Sequence, residues 1–337
     1  MQVSLLPYNT FGIDASCSSL TVIESEEQLL TELPLDYKQV HILGGGSNVL
    51  CGSHIQKRIL KNEIKGISIS KEEEDFIHLS IGGGENWHQF VLYCIESGYG
   101  GLENLSLIPG TVGAAPVQNI GAYGVEQDQL FVSLRAIDLQ ENKVVEFSKE
   151  DCQFSYRDSL FKSKSPGRYF ITQVEYRLTK RGHIFNTSYG AIEAQLEKVG
   201  DKEVNIKSIS DAVIAIRTYK LPDPSMVHNA GSFFKNPIIY RNHFESFIEE
   251  FPNAVYYELE NGEVKIPAGW LIDQCGFKGM VKGRVGTYKN QALVLVNHGG
   301  ATGEEVWSFA QEIQQKVMET FGILLIPEVN LWGFETL

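Results

Sequence analysis

The stretch that decides the fold reads Ile108-Pro-Gly-Thr-Val-Gly-Ala-Ala-Pro-Val-Gln-Asn-Ile-Gly-Ala-Tyr-Gly124. Small residues of this kind add little to a hydrophobic core. Glycine, however, reaches positive φ and lets another molecule approach the main chain closely. A buried stretch with so few side chains must also find partners for its N–H and C=O groups. It therefore predicts either a tight loop between two strands or the binding site of a ring system with polar edges.

A second glycine-rich loop, Gly44-Gly-Gly-Ser-Asn48, follows the predicted buried strand Val40–Leu43. A dinucleotide fingerprint of the G-x-G-x-x-G type is excluded, because Val49 stands where the third glycine is required and no amphipathic helix follows. The loop instead predicts a nest of backbone N–H groups for a pyrophosphate, with Ser47 and Asn48 as side-chain donors. An ordinary glycine turn is the alternative.

The composition is that of a soluble protein with two or three domains, since 43% of the 337 residues are hydrophobic and 21% are charged. The net charge of −13 argues against broad binding to nucleic acid or to an anionic membrane. No apolar run approaches the roughly 18 residues of a membrane helix, and the N-terminus lacks signal-peptide features, so a cytoplasmic location is expected. The five scattered cysteines predict buried thiols rather than zinc or a disulfide framework, and no histidine or acidic cluster has metal-ligand spacing.

The remaining elements follow from caps and periodicity. Ser25 and Gln28 predict the start of a short helix, and Thr302 with Glu305 predicts a capped amphipathic helix near the C-terminus. Short strands dominate up to about Leu178. The segment Lys220-Leu-Pro-Asp-Pro224 predicts a rigid break between modules, and Ile323–Val329 predicts the last strand.

Five motifs now stand in a fixed order: Gly44–Asn48, the 108–124 stretch, Tyr156-Arg-Asp-Ser159, Gly231-Ser-Phe-Phe-Lys-Asn-Pro237 and Pro327-Glu-Val329. Together they closely resemble the UDP-N-acetylenolpyruvoylglucosamine reductase (MurB) family, over about Tyr8 to Val329. The family often has Gly-Glu-Gly-Ser-Asn where this chain has Gly44–Asn48. That difference leaves the backbone donors of the loop intact.

The resemblance implies an α+β fold: a two-part FAD-binding module of the vanillyl-alcohol-oxidase/PCMH type, followed by a C-terminal α+β substrate-binding domain. The expected parts are residues 1–66, joined by a C-terminal strand at 323–337, then 67–218, and a substrate domain at 219–322. Tyr189-Gly190 and the complete C-terminal module resemble the longer subtype of the family, in which a tyrosine loop closes over the substrate.

The implied activity is the NADPH-dependent reduction of UDP-N-acetylglucosamine enolpyruvate to UDP-N-acetylmuramate in peptidoglycan synthesis. NADPH gives hydride to noncovalently bound FAD, and the flavin gives hydride to the enolpyruvyl group. The expected partners are these small molecules, with no nucleic acid, no membrane and no metal. The expected assembly is a monomer.

Three residues match the family's catalytic positions. Arg157 suits the stabilisation of an enolate-like carboxylate, because its guanidinium is permanently charged and binds carboxylates bidentately. Ser232 resembles the proton donor, helped by positive charge from Lys220 or Lys235. Glu328 either stays protonated through burial and donates a hydrogen bond, or orients Arg157 or a water molecule. The alternatives for each in isolation are a surface ion pair of Arg157 with Asp158, a turn or cap role for Ser232, and a solvated Glu328.

The resemblance also implies ligand contacts. For FAD these are Gly44, Gly45, Gly46, Ser47, Asn48, Pro109, Gly110, Thr111, Gly113, Ala114, Ala115, Asn119, Ile120, Gly121 and Gly124. For the substrate they are Tyr189, Lys220, Asn236, Tyr257, Lys278 and Gln291, while Arg217 is left open between FAD and substrate.

Two other functions remain open on the sequence. An FAD oxidase acting on a small alcohol or sugar would keep the flavin fold, but the Gly231–Pro237 motif belongs to the reductase pattern. A non-catalytic nucleotide-sugar binding protein would have no need of Arg157, Ser232 and Glu328 together.

Overall fold

The computed structural model describes residues 2–188, 190–199 and 204–334. The chain divides into two compact units. The first contains Cys17–Gly46 and Lys57–Arg217, and the second contains Gln2–Ser16, Ser47–Gln56 and the chain from Thr218 onward. The three-part division expected from the sequence stays a prediction.

Side chains cap the N-termini of several helices. Ser25 accepts from the N–H of Gln28, as predicted, but the Gln28 side chain accepts from Glu24 rather than closing a full capping box. Thr302 and Glu305 do form the predicted capping box. The helices are α1 (Glu26–Thr31), α2 (Trp87–Glu96), α3 (Lys149–Cys152), α4 (Gly190–Val199), α5 (Ile206–Lys220), α6 (Arg241–Glu250), α7 (Ala268–Gln274) and α8 (Gly303–Phe321).

Most strands are short, as the sequence predicted for the first module, but two strands there are longer, with 8 residues at Phe131–Asp138 and 11 at Tyr169–Thr179. In chain order they are β1 (Val3–Ser4), β2 (Ser16–Cys17), β3 (Leu20–Ile23), β4 (Val40–Leu43), β5 (Val49–Cys51), β6 (His54–Ile55), β7 (Arg58–Asn62), β8 (Ile67–Glu72), β9 (Phe76–Gly82), β10 (Gly121–Ala122), β11 (Val125–Glu126), β12 (Phe131–Asp138), β13 (Lys143–Ser148), β14 (Tyr169–Thr179), β15 (His228–Ser232), β16 (Ile238–Ile239), β17 (Tyr257–Glu258), β18 (Val264–Lys265), β19 (Val281–Lys282), β20 (Val285–Tyr288), β21 (Gln291–Asn297) and β22 (Asn330–Trp332).

Two sheets organise the first unit. One is antiparallel, with strand order β13-β12-β14-β9-β8, and the other is parallel, with order β3-β7-β4. The buried face of α2 belongs to the core that covers the antiparallel sheet, where the rings of Trp87, Phe90 and Tyr176 lie within 6.0 Å of one another. This packing fixes the first turn of α2 beside the 108–124 stretch.

The second unit is built around the sheet β15-β21-β20-β19. The strand β21 is buried along nearly its whole length, and α8 buries Val306, Phe309 and Ile313 on one face. A short parallel pair joins β22 to β5, with Asn330 opposite Val49. A third small sheet has the order β16-β18-β17.

The last strand lies later than predicted. Residues 323–329 form no strand beyond an isolated bridge between Phe234 and Pro327, and the strand is β22 at Asn330–Trp332. Pro327 cannot donate to a ladder, which interrupts regular pairing there. Pairing resumes after Glu328, where the N–H of Asn330 donates to the carbonyl of Asn48 at 3.1 Å.

The thiols behave as the sequence predicted: Cys17, Cys51, Cys94 and Cys152 are buried, and Cys275 is half-buried. Across the described residues, no helix is both long and apolar enough to cross a bilayer.

A buried ion pair closes the β12–β13 hairpin and yields a stability prediction. Asp138 is 2% exposed and receives both Nε (2.9 Å) and Nη2 (2.6 Å) of Arg168, together with the N–H groups of Gln140 and Glu141. Burial alone would raise the pKa of Asp138, but these donors hold it below its ordinary 3.8. The Asp138 carboxylate therefore stabilises the fold fully above pH 3.8, and this contribution is lost as the pH falls through the lowered folded pKa.

We expect Asp138→Asn to lower the free energy of unfolding at pH 7 by about 1–3 kcal/mol in urea titrations. The difference from the unsubstituted protein should shrink as the solution is acidified below pH 3.8. As a control, Asp211→Asn removes an exposed pair with Lys207 and should cost less than about 0.5 kcal/mol. Equal losses in the two variants would contradict the role assigned to Asp138.

Candidate active site

The 108–124 stretch folds as two successive turns, Val112–Ala114 and Pro116–Gln118, that end at Asn119 with a left-handed φ of 43°. Several of its N–H groups donate to the protein's own main chain. Val112 donates to the carbonyl of Glu85 at 2.9 Å and Gly113 to that of Gly83 at 2.8 Å. The protein itself therefore supplies partners that the sequence reasoning assigned to a bound ring.

The first glycine loop and this stretch pack closely against each other. A Cβ added to Gly45 would lie 2.8 Å from the Cα of Gly110, and one added to Gly44 would lie 2.6 Å from Oγ1 of Thr111. Because the atom facing Gly45 belongs to the main chain, glycine is required at Gly45, whereas a side chain at Gly44 would displace the Thr111 hydroxyl. The parallel strand β4 ends immediately before Gly44, which delivers the loop to this place.

Thr111 has a buried hydroxyl group that is available to donate a hydrogen bond. Its residue is 7% exposed, and its Oγ1 has no hydrogen-bond partner among the described residues. A buried hydroxyl without a partner costs about 1–3 kcal/mol. Together with a glycine loop that offers N–H groups, this hydroxyl fits a group rich in acceptors, such as the pyrophosphate and ring edges of FAD.

Asn119 is 1% exposed, and its side chain ties the stretch together rather than projecting outward. Its Nδ2 donates to Oε2 of Glu126 at 3.0 Å, and its Oδ1 accepts from Gln127 at 3.1 Å. A contact from Asn119 to FAD, as implied by the resemblance, would therefore have to come from its main chain.

Arg157 has a left-handed φ of 54° and is half-buried. Its Nη2 donates to the carbonyl of Gly121 at 2.6 Å, and its Nη1 points to that of Asn119 at 3.4 Å. Asp158 meanwhile accepts hydrogen bonds from Ser159 and Ser163. The guanidinium is thus held against the 108–124 stretch by backbone carbonyls.

Arg217, left open by the sequence, lies in the same unit. Burial lowers the pKa of Arg217, the phenol of Tyr123 counteracts this through a hydrogen bond, and the charge of Arg157 lowers it further. Two guanidinium groups that repel each other create a local positive field in a chain of net charge −13. Sequence reasoning missed Tyr123, although its place inside the glycine stretch was a usable signal.

In the second unit, Ser232 and Glu328 come from adjacent segments. Ser232 ends β15 just after Gly231, whose φ is 68°, and the pairing with β21 shifts register between Asn229 and Ser232. The N–H of Glu328 donates to the carbonyl of Phe233 at 2.8 Å, and Asn48 donates through Nδ2 to the carbonyl of Glu328 at 3.3 Å. Ser232, Glu328 and the end of the first glycine loop are therefore brought together.

The residues that the resemblance implies for substrate binding lie in different environments. Asn236 accepts through Oδ1 from the N–H of Ala268 at 2.9 Å, which begins α7. Lys278 pairs with Asp273 at 2.9 Å, and Gln291 accepts from the N–H of Leu293 at 3.3 Å. Tyr257 is 49% exposed and Lys220 is exposed at the end of α5. Tyr189 lies outside the described residues.

The remaining implied FAD contacts complete the two loops. The half-buried set is Ser47, Gly110, Ala114, Ile120 and Gly121; Gly46, Gly113 and Ala115 are buried, Pro109 is exposed, and Gly124 has a positive φ of 81°.

Two family models match separate parts of the chain. The model described as "FAD binding domain" matches residues 24–148, and the model described as "UDP-N-acetylenolpyruvoylglucosamine reductase, C-terminal domain" matches residues 223–332. Two similar relatives are both named UDP-N-acetylenolpyruvoylglucosamine reductase. The one from Flavobacterium johnsoniae is 49% identical over 97% of this chain and 98% of its own. The one from Pseudomonas aeruginosa is 45% identical over 98% of this chain and 97% of its own.

Among solved structures, the UDP-N-acetylenolpyruvylglucosamine reductase (MurB) from Thermus caldophilus covers 98% of both chains with a TM-score of 0.68 and 23% identity. This likeness concerns the fold. The fold class predicted from the sequence, an FAD-binding α+β module with a C-terminal α+β domain, is confirmed.

Removing the Thr111 hydroxyl should affect the stability of the flavin-stripped protein and its affinity for FAD in opposite directions. We expect Thr111→Val to leave the flavin-stripped protein as stable as before, or more stable, because a buried group without a partner is removed. FAD should bind about tenfold more weakly, since a buried donor is lost. Urea unfolding and quenching of FAD fluorescence measure the two quantities.

Thr287→Val is the matched control. Thr287 is 3% exposed, and its hydroxyl donates to the carbonyl of Phe277. This variant should lose stability and keep its FAD affinity. If Thr111→Val behaves in the same way, the Thr111 hydroxyl serves the fold and not the cofactor.

Proposed function

The chain belongs to the UDP-N-acetylenolpyruvoylglucosamine reductase family, and from that premise we propose that it reduces UDP-N-acetylglucosamine enolpyruvate with NADPH. The product is UDP-N-acetylmuramate, a precursor of peptidoglycan. The observation that carries the proposal is the pair of hydrogen bonds that join the Glu328 peptide to Phe233, the residue after Ser232, and to Asn48. It joins a candidate acid and a candidate carboxyl to the loop expected at the cofactor.

FAD, when bound, supplies the two-electron chemistry that carries reducing equivalents from NADPH to the enolpyruvyl double bond. Gly44, Gly45 and Thr111 would hold it, because the glycines let the main chain approach closely and the threonine has an unused donor. Further contacts would come from the rest of the 108–124 stretch and from Ser47 and Asn48. The binding is noncovalent in this proposal.

Arg157 stabilises the charge that develops on the substrate. The enolpyruvyl double bond is conjugated to a carboxylate, so its reduction pushes negative charge onto the carboxylate oxygens before a proton arrives. A guanidinium binds such oxygens bidentately and stays charged throughout. The carbonyls of Gly121 and Asn119 hold Arg157 in place beforehand, so little reorganisation is needed as the charge forms.

Ser232 supplies the proton. Its O–H bond breaks, a new C–H bond forms at the carbon bearing the sugar ether oxygen, and the serine oxygen is reprotonated from solvent. Serine is a weak acid, so a nearby cation must stabilise the oxyanion, and Lys220 and Lys235 are the candidates. The positive φ of Gly231 sets the direction of the chain directly before this serine.

Glu328 acts beside Ser232. In a protonated state it donates a hydrogen bond to the developing enolate, and in an ionised state it orients Arg157 or a water molecule. Both of the hydrogen bonds at its peptide fix the main chain at this point. The side chain is half-buried, an environment in which either role is available.

The nucleotide diphosphate of the substrate needs cations and donors. We assign Tyr189, Lys220 and Asn236 to it, with Tyr257, Lys278 and Gln291 as further contacts. Lys278 already pairs with Asp273 at 2.9 Å, so a contact with phosphate requires it to exchange that partner. We further propose that the enzyme works in the cytoplasm as a monomer, without nucleic acid or membrane.

The proposal is tested by anaerobic absorption spectra of the purified protein. The flavin bands should bleach with NADPH and return when UDP-N-acetylglucosamine enolpyruvate is added. Bands that return with oxygen and not with this substrate would point to an oxidase. A protein that takes up no FAD would refute the cofactor site.

Ser232→Ala separates the two half-reactions. NADPH should bleach the flavin at nearly the original rate, because no proton from Ser232 is needed there. Recovery with the enolpyruvyl substrate should slow at least about a hundredfold, and Ser232→Cys should restore part of it. Ser225→Ala, an exposed serine of the same unit that bonds Asp223, is the control. Recovery at an unchanged rate in Ser232→Ala would rule out the acid role.

Arg157→Lys keeps the charge and loses the bidentate geometry. We expect kcat to fall by about 10²–10³ with a smaller change in KM, since the interaction strengthens as charge develops. Arg181→Lys, at an exposed pair with Glu74 and Asp75, should change neither constant. A rise in KM alone would show that Arg157 binds the ground state and does not assist the reaction.

A further inference from the structure

Leu107, immediately before the 108–124 stretch, has a left-handed φ of 59°. A bulky residue pays a steric cost in this region, because its Cβ approaches the following carbonyl. Such a conformation persists when surrounding groups impose it. The next residues, Ile108 to Thr111, include Gly110, whose backbone faces Gly45, and Thr111, whose hydroxyl faces Gly44.

Two side chains hold both polar groups of Leu107. The N–H of Leu107 donates to Nδ1 of His88 at 2.9 Å, and its carbonyl accepts from Nε of Arg217 at 3.3 Å. An Nδ1 that accepts a hydrogen bond carries no proton, which fixes the imidazole as neutral with its proton on Nε2. Burial, and next the charge of Arg217, lower the pKa of His88, which keeps the ring in this accepting form.

The first turn of α2 contacts the segment on both sides of Leu107. The indole Nε1 of Trp87 donates to the carbonyl of Leu105 at 3.0 Å, and the N–H of Trp87 donates to the carbonyl of Gly110 at 3.1 Å. Leu107, which donates to His88, the residue after Trp87, lies between these two acceptors in the sequence. The turn is itself fixed, since Trp87 is fully buried and Asn86 caps the helix by accepting from Gln89. It is therefore a rigid template for residues 105–110.

We propose that His88 is a positioning residue for the FAD site: by accepting the N–H of Leu107 it holds that residue left-handed and so places Ile108–Thr111 against the first glycine loop. The inference rests on the proposed FAD site in that stretch. His88 does not itself touch the cofactor in this account. Without its Nδ1, Leu107 relaxes toward right-handed backbone, and FAD must restore the strained form when it binds.

The test compares three replacements of His88. His88→Asn keeps an acceptor near the place of Nδ1, whereas His88→Leu removes it at similar volume and His88→Gln moves the amide toward the place of Nε2. FAD affinity is measured by fluorescence quenching on the flavin-stripped protein. We expect about tenfold weaker binding for His88→Leu and His88→Gln, and a change of less than about threefold for His88→Asn.

A rescue distinguishes backbone positioning from simple packing. Glycine adopts positive φ without strain, so in a Leu107→Gly background the effect of His88→Leu should shrink to about threefold or less. Val91→Ala is the stability control, because it loosens the buried face of the same helix and its apolar side chain makes no hydrogen bond to Leu107. It should lower the stability of the flavin-stripped protein and leave FAD affinity within about threefold.

Three results would contradict the proposal. An undiminished loss from His88→Leu in the Leu107→Gly background assigns His88 to packing and overturns the proposal. So does a comparable loss of affinity in Val91→Ala, or binding within threefold of the unsubstituted protein in both His88→Leu and His88→Gln. If the unsubstituted protein binds no FAD, the proposed cofactor site fails, and this inference fails with it.

Discussion

The contact between Gly45 and Gly110 leaves no room for a side chain, and much of the first unit serves to make it. A Cβ on Gly45 would lie 2.8 Å from the Cα of Gly110. The parallel strand β4 brings one partner to this point, and the first turn of α2 holds the other through the carbonyl of Gly110. The large aromatic core beneath α2 thereby has a functional consequence, because it fixes the helix whose first turn positions the loop.

The same region concentrates backbone strain. Leu107, Asn119, Tyr123 and Arg157 are non-glycine residues with positive φ, and each such conformation costs on the order of 1–3 kcal/mol. Each is held by specific bonds: His88 accepts from Leu107, the carbonyl of Tyr123 accepts from Asn104 at 3.0 Å, and Arg157 donates to the carbonyl of Gly121. The Asn119 side chain bonds Glu126 and Gln127. Because these hydrogen bonds impose the strained backbone conformations, the loops keep one conformation before any ligand binds. Less conformational entropy is then lost on binding.

The sequence predicted the local features well, because they depend on neighbouring residues. The caps at Ser25 and Thr302 and the buried strand Val40–Leu43 follow from short-range hydrogen bonding and periodicity, and the structure has them. Prediction failed for the last strand, where Pro327 interrupts a run that looks β-forming and pairing resumes at Asn330. The His88–Leu107 bond was equally out of reach, because a histidine on an amphipathic helix gives no sign of which backbone N–H it meets.

The glycine motif and the hydrogen bond between His88 and Leu107 show why a site can be predicted only in part from a sequence. Glycine is required at Gly45 because any side chain there would clash with the backbone of Gly110, so the requirement is local and visible in the residue type. The conformation of Leu107 is imposed from outside, by acceptors and donors on α2 and α5, and leucine itself carries no mark of it. Family motifs therefore identify the surfaces that touch a ligand, while the residues that hold those surfaces in place are identified from hydrogen bonds to strained backbone. Positive φ at a bulky residue beside a glycine-rich stretch is the signal that connects the two.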